Sequence, residues 1–159
     1  MGITDTEFKN ALSQFASGVT VVTYESAGTM GGLTVSSFCS LSLDPPLVLF
    51  NLAKKTASYD ILNKADSYAV NILQSAQEDV SNQFANPKTN KHEFIESYGF
   101  TKGETGSPLL KNCMATLDCK IETIHAGGDH SIIVGRVVSA TSNDDLRPLL
   151  YFKRKYYHI

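Results

Sequence analysis

The chain has 159 residues, 42% of them hydrophobic, and a formal net charge of -2. That length buries one core without disulfide or metal support, and the near-neutral balance excludes a general nucleic-acid binder, which needs a basic face to neutralise phosphate. No apolar run reaches the roughly 18 residues of a membrane span, and the N-terminus has neither the basic start nor the apolar core of a signal peptide, so the expectation is one cytoplasmic domain over residues 1–159, with no membrane or nucleic-acid partner.

In chain order, Thr4 to Ala16 sets Phe8, Leu12, Phe15 and Ala16 at helical spacing, with Asp5 or Thr6 as N-cap and Gly18 past the end, which predicts a short amphipathic helix. Val19 to Tyr24 is β-branched, and Ala27 to Gly32 supplies a glycine-rich turn into the next strand. From Thr34 to Leu43 side chains alternate: Thr34, Ser36, Ser40 and Ser42 fall on one face, interrupted by Phe38, and Val35, Cys39, Leu41 and Leu43 on the other. After Asp44-Pro45-Pro46, Leu47 to Phe50 is apolar on both faces and reads as a buried central strand. Lys54 to Asn63 predicts a helix or helical turn, Ser67 to Leu73 a strand, and Ser75 to Phe84 a helix opened by a Ser75/Glu78 capping box.

Pro87 to Lys91 is then a loop, His92 to Tyr98 a short helix and Thr101 to Pro108 irregular. Cys113 to His125 and Ser131 to Ser142 are strands joined by a tight turn across Ala126 to His130, and Leu149 to Tyr156 is a final strand or extended tail. Strands with few short helices and no β-α-β rhythm predict a mainly β barrel with peripheral helices. The three cysteines contain no C-x-x-C and fit reduced thiols, and the four histidines lack metal-ligand spacing, so no metal site is expected.

The hydroxyl row of residues 34–42 beside an apolar strand is either a ligand cradle or the solvated face of an antiparallel sheet. A turn at Lys54, Lys55, Thr56 and Ser58 offers positive charge, hydroxyls and backbone amides to an anion, or is an ordinary capped basic turn. No G-x-G-x-x-G follows the first strand, so a Rossmann site is not expected.

Gly18 to Thr23 (GVTVVT) followed by Gly32 to Phe50 (GLTVSSFCSLSLDPPLVLF) resembles the short-chain flavin reductases of the FMN-binding split-barrel fold, a Greek-key-like antiparallel barrel. Tyr68 to Asn71 (YAVN), Ser81 to Ala85 (SNQFA), Gly128 to His130 (GDH) and Pro148 to Phe152 (PLLYF) match in order, so the resemblance spans Phe8 to Tyr156. It implies that Thr34, Ser36, Ser37 and Ser40 contact the flavin, with Asn51 as a further ring contact and Lys54, Lys55, Thr56 and Ser58 at its phosphate. It implies that His130 lies near the nicotinamide, where it positions rather than transfers a proton, so no catalytic acid or base is named. Arg154 and Tyr156 are placed over the nucleotide phosphates, and Phe84 next to the flavin site, with a basic tail and ordinary core packing as their structural alternatives. Cys39 stands where related chains often carry Thr.

The activity implied is hydride transfer from NADH or NADPH to FMN, with FAD or riboflavin as further acceptors, by a homodimer that supplies a monooxygenase or other redox protein. Two alternatives use the same cradle: an electron-transfer flavoprotein with tightly bound FMN, and a non-enzymatic flavin-binding module.

Overall fold

The structure, a computed structural model, describes residues 2–159. It opens with α1 (Asp5–Leu12), which starts one residue earlier than the sequence predicts: the Thr4 hydroxyl accepts the Glu7 amide at 3.3 Å while the Glu7 carboxylate accepts the Thr4 amide at 2.9 Å, a complete capping box. The expected amphipathic packing does not follow, because α1 buries none of its residues and leaves Phe8 and Leu12 more than half exposed.

The chain continues through β1 (Ser17–Gly18), β2 (Thr20–Ser26), β3 (Thr29–Val35), β4 (Cys39–Leu43), β5 (Pro46–Ala53), α2 (Tyr59–Leu62) and β6 (Ser67–Ile72). After these come α3 (Glu78–Ala85), α4 (Lys91–Tyr98), β7 (Phe100–Lys102), β8 (Pro108–Leu110), β9 (Ala115–Gly127), β10 (His130–Ser142), β11 (Leu149–Phe152) and β12 (Lys155–His158). One seven-stranded antiparallel sheet has the order β3-β2-β6-β9-β10-β5-β4, so β3 and β4 are its two edges. Only Ser36, Ser37 and Phe38 connect them. Four residue steps span at most about 14 Å, whereas six strand spacings of a flat sheet measure about 29 Å. The sheet must therefore curl until its edges approach, which makes a barrel split between β3 and β4.

Several expectations change accordingly. The alternation over 34–43 is not one strand, because Val35 pairs with Thr20 on one edge of the sheet and Cys39 with Leu49 at the other. The strand buried most completely on both faces is β2 rather than the stretch before Phe50; in β5 only Val48, Phe50 and Leu52 are buried. The capping box ahead of α3 belongs to Gln74 and Gln77 around a 3-10 turn, not to Ser75 and Glu78. Residues 101–108 are not wholly irregular but take part in the small β7–β8 hairpin. The tail folds back as β11 and β12 around Lys153 and Arg154, both left-handed at φ 48° and 63°.

Two apolar clusters result. Val22, Phe50, Leu52, Tyr68, Val70, Cys119 and Ile133 fill the barrel, while Val19, Val21, Leu73, Phe84 and Ile95 pack beneath α3 and α4. Gly32 lets α3 approach, since a Cβ there would stand 2.7 Å from the Phe84 ring and 2.6 Å from the Val22 carbonyl. Inside the barrel the Tyr68 hydroxyl has no proper hydrogen-bond partner among the described residues; it lies beside the thiol of Cys119, a weak acceptor, and burial raises its pKa. Burial likewise pushes the Cys119 thiol up to about 12. Gly135 sits at a bulge in β10, and a Cβ there would stand 2.2 Å from the Tyr68 oxygen.

Gly135→Ala is therefore expected to destabilise the protein by about 1–3 kcal/mol through overpacking. Tyr68→Phe is expected to be neutral or stabilising, since it removes an unpaired buried polar atom, and to reduce the cost of Gly135→Ala in the double variant. Denaturant unfolding of the three variants checks this, and additive effects would disprove the contact.

Candidate functional site

The barrel split opens into a groove of about 1100 Å³. Its floor is Thr34 at the end of β3, Ser36 and Ser37 of the crossing link, and Asn51 and Ala53 of β5. Lys55 and Thr56 form one rim, Gly127, Asp129, His130 and Ile132 of the β9–β10 hairpin another, and Asp5, Phe8, Lys9 and Leu12 of α1 the opposite wall. A smaller pocket of about 190 Å³, lined by Val19, Ala85, Tyr151 and Tyr156, shares Thr34 and Ser36 with it.

Local hydrogen bonds fix these parts. The Ser37 hydroxyl accepts the Asn51 amide at 3.0 Å, tying the link to β5. Thr34 spends its hydroxyl proton on the Ser81 carbonyl at 2.6 Å, whereas Ser36 is exposed and its hydroxyl has no bond within the described residues. The Lys54 amide donates to the Asp129 carbonyl at 3.0 Å and its ammonium to the Gly128 carbonyl at 2.8 Å, so Lys54 ties the hairpin turn to the 54–56 turn. His130 pairs through its backbone with Ala53, and its Nδ1 lies 2.7 Å from Asp129 Oδ1. That hydrogen bond, together with the histidine's charge, holds the exposed Asp129 carboxyl below its ordinary pKa.

Of the residues singled out from sequence, Thr34, Ser36, Ser37, Asn51, Lys55, Thr56 and His130 meet in the groove, and Tyr156 borders the adjoining pocket with its hydroxyl 2.7 Å from Ser81 Oγ. Five others do not line either space. Ser40 pairs with Val48 on β4, beyond the link that ends the hydroxyl row. Lys54 serves the hairpin instead of the groove. Ser58 is buried and accepts the Tyr24 hydroxyl at 2.9 Å, so it is engaged in the core. Phe84 is 3% exposed and edge-on to Phe94 in the core. Arg154 directs its guanidinium to Asn10 of α1 at 3.4 Å. Sequence reasoning missed the α1 wall, because a helix pattern with Phe8 and Leu12 on one stripe reads as core-seeking; Leu33 and Ile132, which also line the groove, lacked any polar signal.

Chemically, the groove is a slot with a hydroxyl and amide edge, apolar flanks at Leu33, Val35 and Ile132, and at one end the ammonium of Lys55, which forms no ion pair among the described residues. Such a slot suits a planar heteroaromatic ring with a polar edge and an anionic tail. A family model described as flavin reductase like domain matches residues 12–159. The chain belongs to the flavin reductase family. It is 36% identical over 149 residues to the reductase subunit of a flavin-dependent monooxygenase from Rhodococcus jostii, covering 94% of this chain and 75% of that protein. It is 37% identical over 150 residues to the reductase component of 4-hydroxyphenylacetate 3-monooxygenase from Thermus thermophilus, covering 94% and 93%. Among solved structures, an NADH:FAD oxidoreductase of Streptomyces globisporus in complex with NAD and FAD fragments superposes with a TM-score of 0.91 at 29% identity, covering 100% of this chain and 97% of that one. The flavin reductase component of a bacterial two-component tryptophan halogenase gives 0.92 at 31% identity, covering 98% of each. The fold is thus the split barrel of the flavin reductases.

Because Ser37 closes the split, Ser37→Ala is expected to cost about 1 kcal/mol of stability and to speed hydrogen exchange at the Asn51 amide. Unchanged exchange at Asn51 would show that the link is held by other contacts.

Proposed function

We propose that this protein is a flavin reductase that uses NADH or NADPH to reduce FMN, bound in the groove at the barrel split. The support is the meeting of the Ser36 hydroxyl, the Asn51 side chain and the Lys55 ammonium, which forms no ion pair among the described residues, in a slot flanked by apolar side chains in a chain of this family. Bound FMN supplies a ring that takes a hydride from the nicotinamide and hands electrons on. The protein's part is positioning. Ser36 and the Asn51 side chain meet the polar edge of the ring, Thr56 and the Lys55 ammonium receive its phosphate, and Leu33, Val35 and Ile132 keep water from the ring faces. His130, braced by Asp129, stands on the rim where the nicotinamide enters. Thr34 acts at one remove, by holding Ser81 and α3 against the floor.

The reduced flavin is expected to pass to a monooxygenase, which is what the relatives named as reductase subunits or components serve. A second copy of the chain is expected to cover β4, whose Leu41 and Leu43 are 50% and 93% exposed on a sheet edge. Sedimentation that returns only monomer would remove that part of the proposal.

The direct test follows NADH and NADPH absorbance with and without added FMN. Oxidation is expected to require flavin, and Ser36→Val is expected to weaken FMN binding by about tenfold without changing the melting temperature. Absence of flavin-dependent oxidation with either nucleotide would refute the activity; an unchanged FMN Kd in Ser36→Val would refute the site.

A further inference from the structure

We infer that α1 is part of the nucleotide site, and that Lys9, with Phe8 beside it, holds the nicotinamide dinucleotide against the flavin. This rests on the proposed flavin reductase function and extends it to residues that the family match, which begins at residue 12, leaves out except for its last one.

Size gives the first support. At about 1100 Å³ the groove lies at the upper end of the roughly 300–1,000 Å³ usual for ligand sites and is open to solvent, which leaves space beside a flavin lying on the Ser36–Asn51 floor. The wall facing that space is α1. An eight-residue helix that buries none of its residues gains nothing from core packing, yet both of its large apolar side chains, Phe8 and Leu12, line the groove. They offer an aromatic and an aliphatic surface to a ring inserted from the solvent side.

Charge gives the second. Lys9 faces the groove from α1, and Lys55 faces it from the opposite rim; neither forms an ion pair among the described residues. Two ammonium groups across one slot suit a ligand with two separated phosphate sites, which a flavin mononucleotide on the floor and a dinucleotide pyrophosphate above it supply. Asp5, one turn before Lys9 on the same wall, offsets part of that charge, so the effect of Lys9 is moderate. The helix is also held in place. The Lys153 amide donates to the Ser13 carbonyl at 3.1 Å, and Arg154 reaches Asn10, so the left-handed β11–β12 turn fixes α1 at its C-terminal end.

The test measures equilibrium binding in FMN-loaded protein, wild type and Lys9→Met, with Lys9→Arg as the conservative variant. NAD⁺ titrated by calorimetry is expected to bind about fivefold more weakly to Lys9→Met, to recover in Lys9→Arg, and to lose the difference at high salt. The FMN Kd, read by fluorescence quenching on the apoprotein, is expected to stay constant. In steady state the KM for NADH rises while kcat is retained, and the rise shrinks with reduced nicotinamide mononucleotide, which lacks the pyrophosphate. An unchanged NAD⁺ Kd in Lys9→Met overturns the inference and leaves the reductase function standing. An equal loss of FMN affinity also overturns it, by assigning Lys9 to the flavin. Wild-type protein that binds no FMN overturns the function and this inference together.

Discussion

Ser36, Ser37 and Phe38 must carry the chain from one edge of a seven-stranded sheet to the other, and that short crossing governs the molecule. A flat sheet is geometrically incompatible with it, so the strands coil around Phe50, Tyr68 and Ile133 as an interior. The same crossing leaves a place where no ladder bonds close the barrel. Backbone and hydroxyl donors that would otherwise be spent between strands are exposed there, beside a rigid core. Ser37 restores one cross-link, to the Asn51 amide, and Ser36 is left over. The site is thus a consequence of how the barrel closes.

The parts around the split are held by contacts of unlike kinds. Lys54 fastens the β9–β10 turn through two carbonyls, so that the rim carrying His130 adjoins the rim carrying Lys55. Thr34 reaches Ser81 in α3, and Gly32 allows Phe84 to come close, so α3 braces the floor from behind. By contrast α1 depends on the Lys153–Arg154 turn and on its own capping box. Packing precision falls from the barrel interior, where even a methyl at Gly135 does not fit, to α1, which has no buried residue.

Much of this was legible in the sequence. The β-rich last third, the glycine turn before His130 and the strand at Tyr68 follow from alternation and turn chemistry, which are local properties. The hydroxyls of Thr34, Ser36 and Ser37 were legible too, as a polar row beside an apolar strand. Where that row ended was not. Alternation over Thr34 to Leu43, interrupted only at Phe38, runs through a point at which the chain changes partners, and pairing is decided by residues such as Thr20 and Leu49 elsewhere in the chain. Ser40 stands on β4, outside the groove lining, for that reason. Ser58 has the residue type of a cap, but Tyr24, thirty-four positions away, takes it into the core. Helical spacing of Phe8 and Leu12 says that one face is apolar, not whether it meets core or cleft.

Flavin is proposed to lie across the split, on the 36–37 link and the 51–56 segment, and hydrogen–deuterium exchange with and without FMN tests that placement. Protection is predicted at the amides of Ser36, Ser37, Asn51, Lys55 and Thr56, with Ser40 and Ser42 unchanged. Protection centred on residues 40–42, or none at the link, would contradict it.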